Sequence, residues 1–138
     1  MMKRIDVAAA VIRKNGRTFI CSRPKNSPLG DFFEFPGGKC EPGETPENCI
    51  IREIREELGI RVIPLDRIHT LEHQYPDKFV RVFFIRCVVT DDSPPPRPLN
   101  QQEIRWVDTA GLAQVNFLPA DPPLAKMMAD SFQIAKNG

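Results

Sequence analysis

Residues 38–60, GKCEPGETPENCIIREIREELGI, constrain this chain more tightly than any other stretch. Thr45 can accept a hydrogen bond from the first free amides of a helix, Pro46 suits its first position and Glu47 its positive end. Gly59 can take the left-handed conformation that stops it. A helix over residues 46–58 is therefore expected. At about 100° per residue, Ile50, Ile51, Ile54 and Leu58 form a stripe that should face a core. Glu53, Glu56 and Glu57 fill a neighbouring sector. Like charges three and four residues apart repel by a few tenths of a kcal/mol per pair, and Arg52 and Arg55 relieve part of that cost. Two readings compete: a solvated, salt-bridged face, or a cage for hard cations, which take oxygen ligands. The loop before the helix favours the cage. Gly37-Gly38 and Pro42-Gly43-Glu44 can turn carbonyls and a carboxylate back toward the same helix end.

The remaining chain reads as one domain over residues 1–138, large enough for a substantial core. Residues 6–12 (DVAAAVI) and 18–23 (TFICSR) are expected strands, joined by a turn at Asn15-Gly16. A Pro-, Gly- and Asn-rich loop follows over 24–31, then FFEFPGG. Residues 61–64, 67–73 and 79–89 read as strands, with a turn over 75–78. VRVFFIRCVV is β-branched and aromatic, as a central strand should be. DDSPPPRPLNQQ (91–102) is expected to be a stiff surface connector. A strand resumes at 104–107 with Trp106 in the core, and a last helix should begin near Pro122-Pro123.

Composition excludes several classes. The net charge is +1, which signals neither nucleic-acid nor anionic-membrane binding. No apolar run approaches the roughly 18 residues that span a bilayer. The basic start MMKR followed by a short apolar run reads as a strand, not a signal peptide. Cys21, Cys40, Cys49 and Cys87 form no CxxC pair and lie far in sequence from His69 and His73, so free thiols in a reducing cytoplasm are expected and a zinc site is not.

The opening stretch resembles the Nudix box at every fixed position. Gly38 is followed after five residues by Glu44, after seven more by Arg52-Glu53, then Ile54, one residue, Glu56-Glu57, one residue, Gly59 and Ile60. The likeness extends over most of the chain to the MutT-like branch, through the early VAAAVI, Arg23, EFPGGK (34–39), the YPD turn (75–77) and FLPADPPLAKM near the end. This resemblance implies an α/β/α sandwich around a mixed β-sheet. It also implies hydrolysis of a nucleoside triphosphate to the monophosphate and pyrophosphate, with Mg2+ or, as a substitute, Mn2+. By the same resemblance, Glu53, Glu56, Glu57 and the Gly37 carbonyl bind metal, and Arg52 holds a glutamate in its ligating rotamer. Glu44 orients the loop or helix, and Lys39 contacts a phosphate or the attacking water. Arg23, Glu34, Phe35, Pro36, Gly37, Gly38 and Asp121 face the nucleotide. Some relatives take their general base from a loop carboxylate six residues before the strand tryptophan. Asn100 stands there in this chain, which leaves Glu53 as the candidate base and Glu103 as an outside one.

By the same resemblance, Asp121 in the PAD segment stands at the position that reads the base. An amide there both donates and accepts, which suits 8-oxoguanine. An ionised aspartate only accepts, which suits a cytosine amino group or the guanine N1–H and N2 edge. A protonated Asp121 would mimic the amide if burial raised its pKa. Pro28 also stands where the resemblance places a histidine in bacterial 8-oxo-dGTP enzymes. The expected substrate is 8-oxo-dGTP, with CTP or a 5-substituted dCTP as the alternative and a non-catalytic nucleotide-binding module as a third reading. Such a protein should work in the cytoplasm as a monomer or homodimer, with neither nucleic acid nor membrane as partner.

Overall fold

The computed structural model describes residues 3–24, 26–27, 30, 32–100, 102–112 and 114–115. Seven strands form a mixed sheet: β1 (Lys3–Lys14), β2 (Arg17–Ser22), β3 (Phe33–Glu34), β4 (Gly37–Lys39), β5 (Val62–Gln74), β6 (Lys78–Val89) and β7 (Ile104–Asp108). Their order is β3-β2-β1-β6-β5, with β4 also paired to β1 and β7 to β2. β1 and β6 run parallel, and the other pairs are antiparallel. Asn15 and Gly16, at φ 53° and 75°, make the tight reversal between β1 and β2 that an Asn-Gly pair favours. As its composition requires, β6 lies inside the sheet, between β1 and β5.

The sheet is covered on both faces, which is why β1 carries an uninterrupted apolar run instead of an alternating one. Ala8, Ala10, Ile12, Phe19, Phe83 and Ile85 face a helix, α1 (Pro46–Leu58). Ala9, Val11, Ile20, Phe33, Phe35 and Phe84 point the other way, joined by Leu112 of the short α2 (Thr109–Leu112). This is an α/β architecture around a mixed sheet. The final helix expected from Pro122 onward lies outside the described residues.

α1 begins and ends where its sequence dictates. Thr45 Oγ1 accepts from Asn48 N at 3.1 Å, Pro46 opens the helix, and Gly59 closes it at φ 69° with its N–H donated to the Arg55 carbonyl. The buried arc, however, is not the expected one. Cys49, Ile50, Ile54 and Leu58 are fully buried, whereas Ile51 is 37% exposed. At about 100° per residue, Cys49 sits beyond the glutamates, so the covered arc extends across Glu53 and Glu57 and stops short of Ile51. These carboxylates thus stand within the packed side of the helix and not along its margin.

Two other expectations change. The segments 61–64 and 67–73 are one strand, β5, with register shifts between Pro64 and Asp66 and between Arg67 and His69. A proline cannot donate to a ladder, but an edge strand with bulges tolerates it. The described residues of the proline-rich stretch 91–102 form no helix or strand, yet they are more than a connector. Arg97 N donates to Leu58 O at 2.9 Å, and Leu99 N to Glu57 O at 3.2 Å. Both carbonyls belong to the last turn of α1, which has no partners of its own for them.

Candidate functional site

The loop from β4 into α1 is organised by one guanidinium. Arg52 Nε and Nη2 grip Glu44 at 2.8 and 2.9 Å, Nη1 reaches Glu53 at 2.9 Å and Glu56 at 3.3 Å, and Nη2 also donates to the Lys39 carbonyl at 3.1 Å. Glu44 closes the loop on itself by accepting from Glu41 N at 3.0 Å. The two-pronged Arg52 contact, helped by that amide, holds the Glu44 carboxyl down at about 2. Planar, paired hydrogen bonding of this kind fixes orientation as well as distance. The side chain of Arg55 is exposed, and among the described residues the ion pairs to the box glutamates are made by Arg52.

Gly37 and Gly38 are needed for close approach. A Cβ on Gly37 would stand 2.0 Å from the Ala8 carbonyl oxygen of β1. One on Gly38 would stand 2.5 Å from the Glu53 carboxylate. Pro36 O accepts from Ala10 N, and Cys40 N donates to Asp6 O, both at 2.8 Å. The two-residue alternation of an antiparallel ladder then leaves the N–H and C=O of Gly37 pointing together away from β1. That N–H is directed at the Glu57 carboxylate.

Glu57 is the most perturbed acid of the site. Burial, then the charges of Glu53 and Glu34, push its carboxyl up to about 8, and the hydrogen bond that protonated Glu57 donates to Glu53 adds to the rise. Glu34 reaches this place from β3, where it pairs with Cys21 of β2 and lies 3.6 Å from Arg23 Nε. Three carboxyl side chains, Glu57 the most perturbed by burial, are thus gathered beside the backbone carbonyl of Gly37. That donor set matches a hard divalent cation. Among the described residues, though, no three acidic, histidine or cysteine side chains converge on one point ready to hold an ion. Glu56 is turned outward to Arg52, with 56% of its side chain exposed.

The structure therefore brings together Arg23, Glu34, Gly37, Gly38, Glu44, Arg52, Glu53 and Glu57. Lys39 is exposed at the end of β4. Phe35 and Pro36 are buried behind the loop, Phe35 packing edge-on to Phe84 with ring centroids 6.4 Å apart. Glu103 pairs with Arg105, and Asn100 presents its N–H to Gln102. Trp106 packs edge-on to Phe19 at 5.2 Å. Asp121 and Pro28 lie outside the described residues. All four cysteines are free. Two contributors went unread in the sequence. Cys49 Sγ donates to the Gly38 carbonyl at 3.5 Å, and Gln102 Nε2 donates to the Glu57 carbonyl at 3.1 Å. Cys49 falls two helical turns before Glu56, on the glutamate side of the helical projection, and that position was its one available signal.

Residues 2–130 match the NUDIX domain, and the chain belongs to that family. It is a Nudix hydrolase of the MutT type. It is 34% identical over 124 residues to the 8-oxo-dGTP diphosphatase of Escherichia coli (strain K12), covering 89% of this chain and 95% of that protein. The CTP pyrophosphohydrolase of the same organism is 30% identical over 123 residues, covering 89% and 90%. Among solved structures, the solution structure of the E. coli ORF135 protein superimposes with a TM-score of 0.77 at 29% identity, covering 93% of this chain and 91% of that one. Nudix hydrolases generally use divalent metal ions. Among the described residues no helix is long and apolar enough to cross a membrane.

Proposed function

We propose that this hydrolase converts a nucleoside triphosphate, foremost 8-oxo-dGTP, to its monophosphate and pyrophosphate with Mg2+, acting as a single domain in the cytoplasm. The observation that carries the reading is the crowding of Glu34, Glu53 and Glu57 around Gly37, where burial and mutual repulsion raise the Glu57 carboxyl. Glu53, Glu57 and the Gly37 carbonyl would hold the cation, with Glu56 joining after a rotation away from Arg52. When bound, the metal neutralises phosphate charge and acidifies a water.

The chain's own residues supply the rest. Arg52, itself clamped by Glu44, holds Glu53 Oε1, leaving Oε2 beside Gly38 to take the proton of the attacking water. Such a carboxylate must be oriented before it can act as a base, and the Arg52 bridge does that. Arg23, paired with Glu34, faces the nucleotide, Phe35 and Pro36 pack behind the loop, and Lys39, exposed at the loop, meets a phosphate. Replacing Glu53 by Gln should abolish turnover while sparing nucleotide binding; unchanged turnover would remove the assignment of Glu53.

A cytidine nucleotide is the second reading, favoured by Asp121 where an amide would suit 8-oxoguanine and by the similarity to a CTP pyrophosphohydrolase. kcat/KM for 8-oxo-dGTP, dGTP, CTP, 5-methyl-dCTP, ADP-ribose and diadenosine polyphosphates separates the two. Preference for a dinucleotide would sink both. Asp121→Asn should improve 8-oxo-dGTP cleavage if ionised Asp121 reads cytosine, and harm it or leave it unchanged otherwise.

A further inference from the structure

Gln102 is one of few buried polar side chains among the described residues, at 6% exposure. Its amide is used at both ends. Nε2 donates to the Glu57 main-chain carbonyl at 3.1 Å, and Oε1 accepts from Asn100 N at 2.8 Å. The neighbouring residue binds the opposite side of the site. Glu103 N donates to Ser22 Oγ, and Ser22 N donates to Glu103 O, both at 2.8 Å. Ser22 directly precedes Arg23, the partner of Glu34. One dipeptide therefore spans from the helix carrying Glu53 and Glu57 to the strand end carrying Arg23.

The other bonds to this end of α1 come from the backbone amides of Arg97 and Leu99. Any non-proline residue at those positions could supply them. Gln102 makes the one side-chain bond to the Glu57 carbonyl among the described residues. With the Leu99 amide on the same carbonyl, it ties the main chain of Glu57 to the segment leading into β7.

We propose that Gln102 is a positioning residue: through the Glu57 carbonyl it fixes the helix end so that the Glu57 carboxylate meets the metal. This rests on the reading of Glu57 as a metal ligand. Its chemistry fits the task. A buried amide donor to a ligand's own backbone is the kind of outer contact whose loss weakens metal binding. Neither a hydrophobic residue nor an ionised carboxylate at position 102 can donate that bond.

The test is Mn2+ binding to the full chain without substrate, followed by electron paramagnetic resonance of free Mn2+, together with the thermal midpoint of each variant. Gln102→Met keeps size and burial but removes the donor, and should weaken Mn2+ binding about tenfold. Steady-state turnover should then need correspondingly more metal and recover at saturation. Gln102→Glu, measured at a pH where its carboxyl is ionised, keeps the acceptor for Asn100 and should lose at least as much, and serves if the Met variant folds poorly. Leu99→Ala, which leaves the backbone bond in place, should bind as wild type does. Wild-type Mn2+ affinity in a folded Gln102→Met or Gln102→Glu variant, even with a lowered midpoint, would overturn the proposal by leaving Gln102 a merely structural role. Unchanged affinity in Glu57→Gln would instead remove the metal reading, and the inference with it.

Discussion

At the scale of single residues, the site depends on an absent side chain as much as on present ones. Glu53 lies against Gly38 so closely that a Cβ there would sit 2.5 Å from its carboxyl carbon. The backbone of Gly38 is not in the left-handed region, so alanine would fit its dihedral angles, and the nearest atoms its Cβ would meet all belong to the Glu53 carboxylate. Gly38→Ala should therefore fold, with a thermal midpoint within a few degrees of wild type, while turnover falls by about tenfold or more because a carboxylate displaced by an ångström no longer fits its task. Normal turnover in Gly38→Ala would show that the Glu53 position is not critical. The identities of these residues could be read from the sequence because their spacings match the Nudix box. The reason for Gly38 could not be: a glycine in a loop ordinarily suggests a turn, and only the packing shows that it clears space for a carboxylate.

At the scale of elements, the helix was legible almost to the residue, since Thr45, Pro46 and Gly59 are local signals that tertiary packing did not override. Its rotation was not. Periodicity places Ile51 and Ile50 on the same apolar stripe, but the sheet beneath decides which part of the circumference is covered, and Cys49 takes the place expected of Ile51. The difference is measurable. Ile54 is fully buried against the sheet, so Ile54→Ala should cost about 2–4 kcal/mol by transfer and cavity terms. Ile51→Ala, at a half-exposed position, should cost no more than about 0.5–1 kcal/mol. Urea denaturation of the two variants checks this, and equal losses would restore the original stripe. The loop 91–102 misled for a related reason. Prolines announce the absence of a ladder, but backbone amides between them remain free to cap a neighbouring helix, and no local pattern marks that docking.

At the scale of the whole molecule, the arrangement sets function against the stability of the metal-free fold. α1 is held to the sheet by its apolar arc, and the same packing draws Glu53 and Glu57 out of water beside Glu34, where their charges oppose one another. Arg52 offsets part of this but is shared among Glu44, Glu53 and Glu56. Near neutral pH a carboxyl raised to about 8 must take up a proton to be buried, a cost the amide of Glu57→Gln does not carry, so the variant should stabilise the metal-free protein. A gain on the order of 1 kcal/mol is expected. The wild type should behave oppositely when metal is added. A ligand that binds only the folded state adds about 2.7 kcal/mol at a hundred times its dissociation constant, so Mg2+ or Mn2+ should raise the wild-type midpoint and a chelator should reverse the rise. In Glu57→Gln that response should shrink sharply. Thermal melts of both proteins across a metal titration decide the matter, because the two curves should cross: the variant is more stable without metal, the wild type with it. A variant less stable than wild type at every metal concentration would mean that Glu57 serves the fold and not the ion.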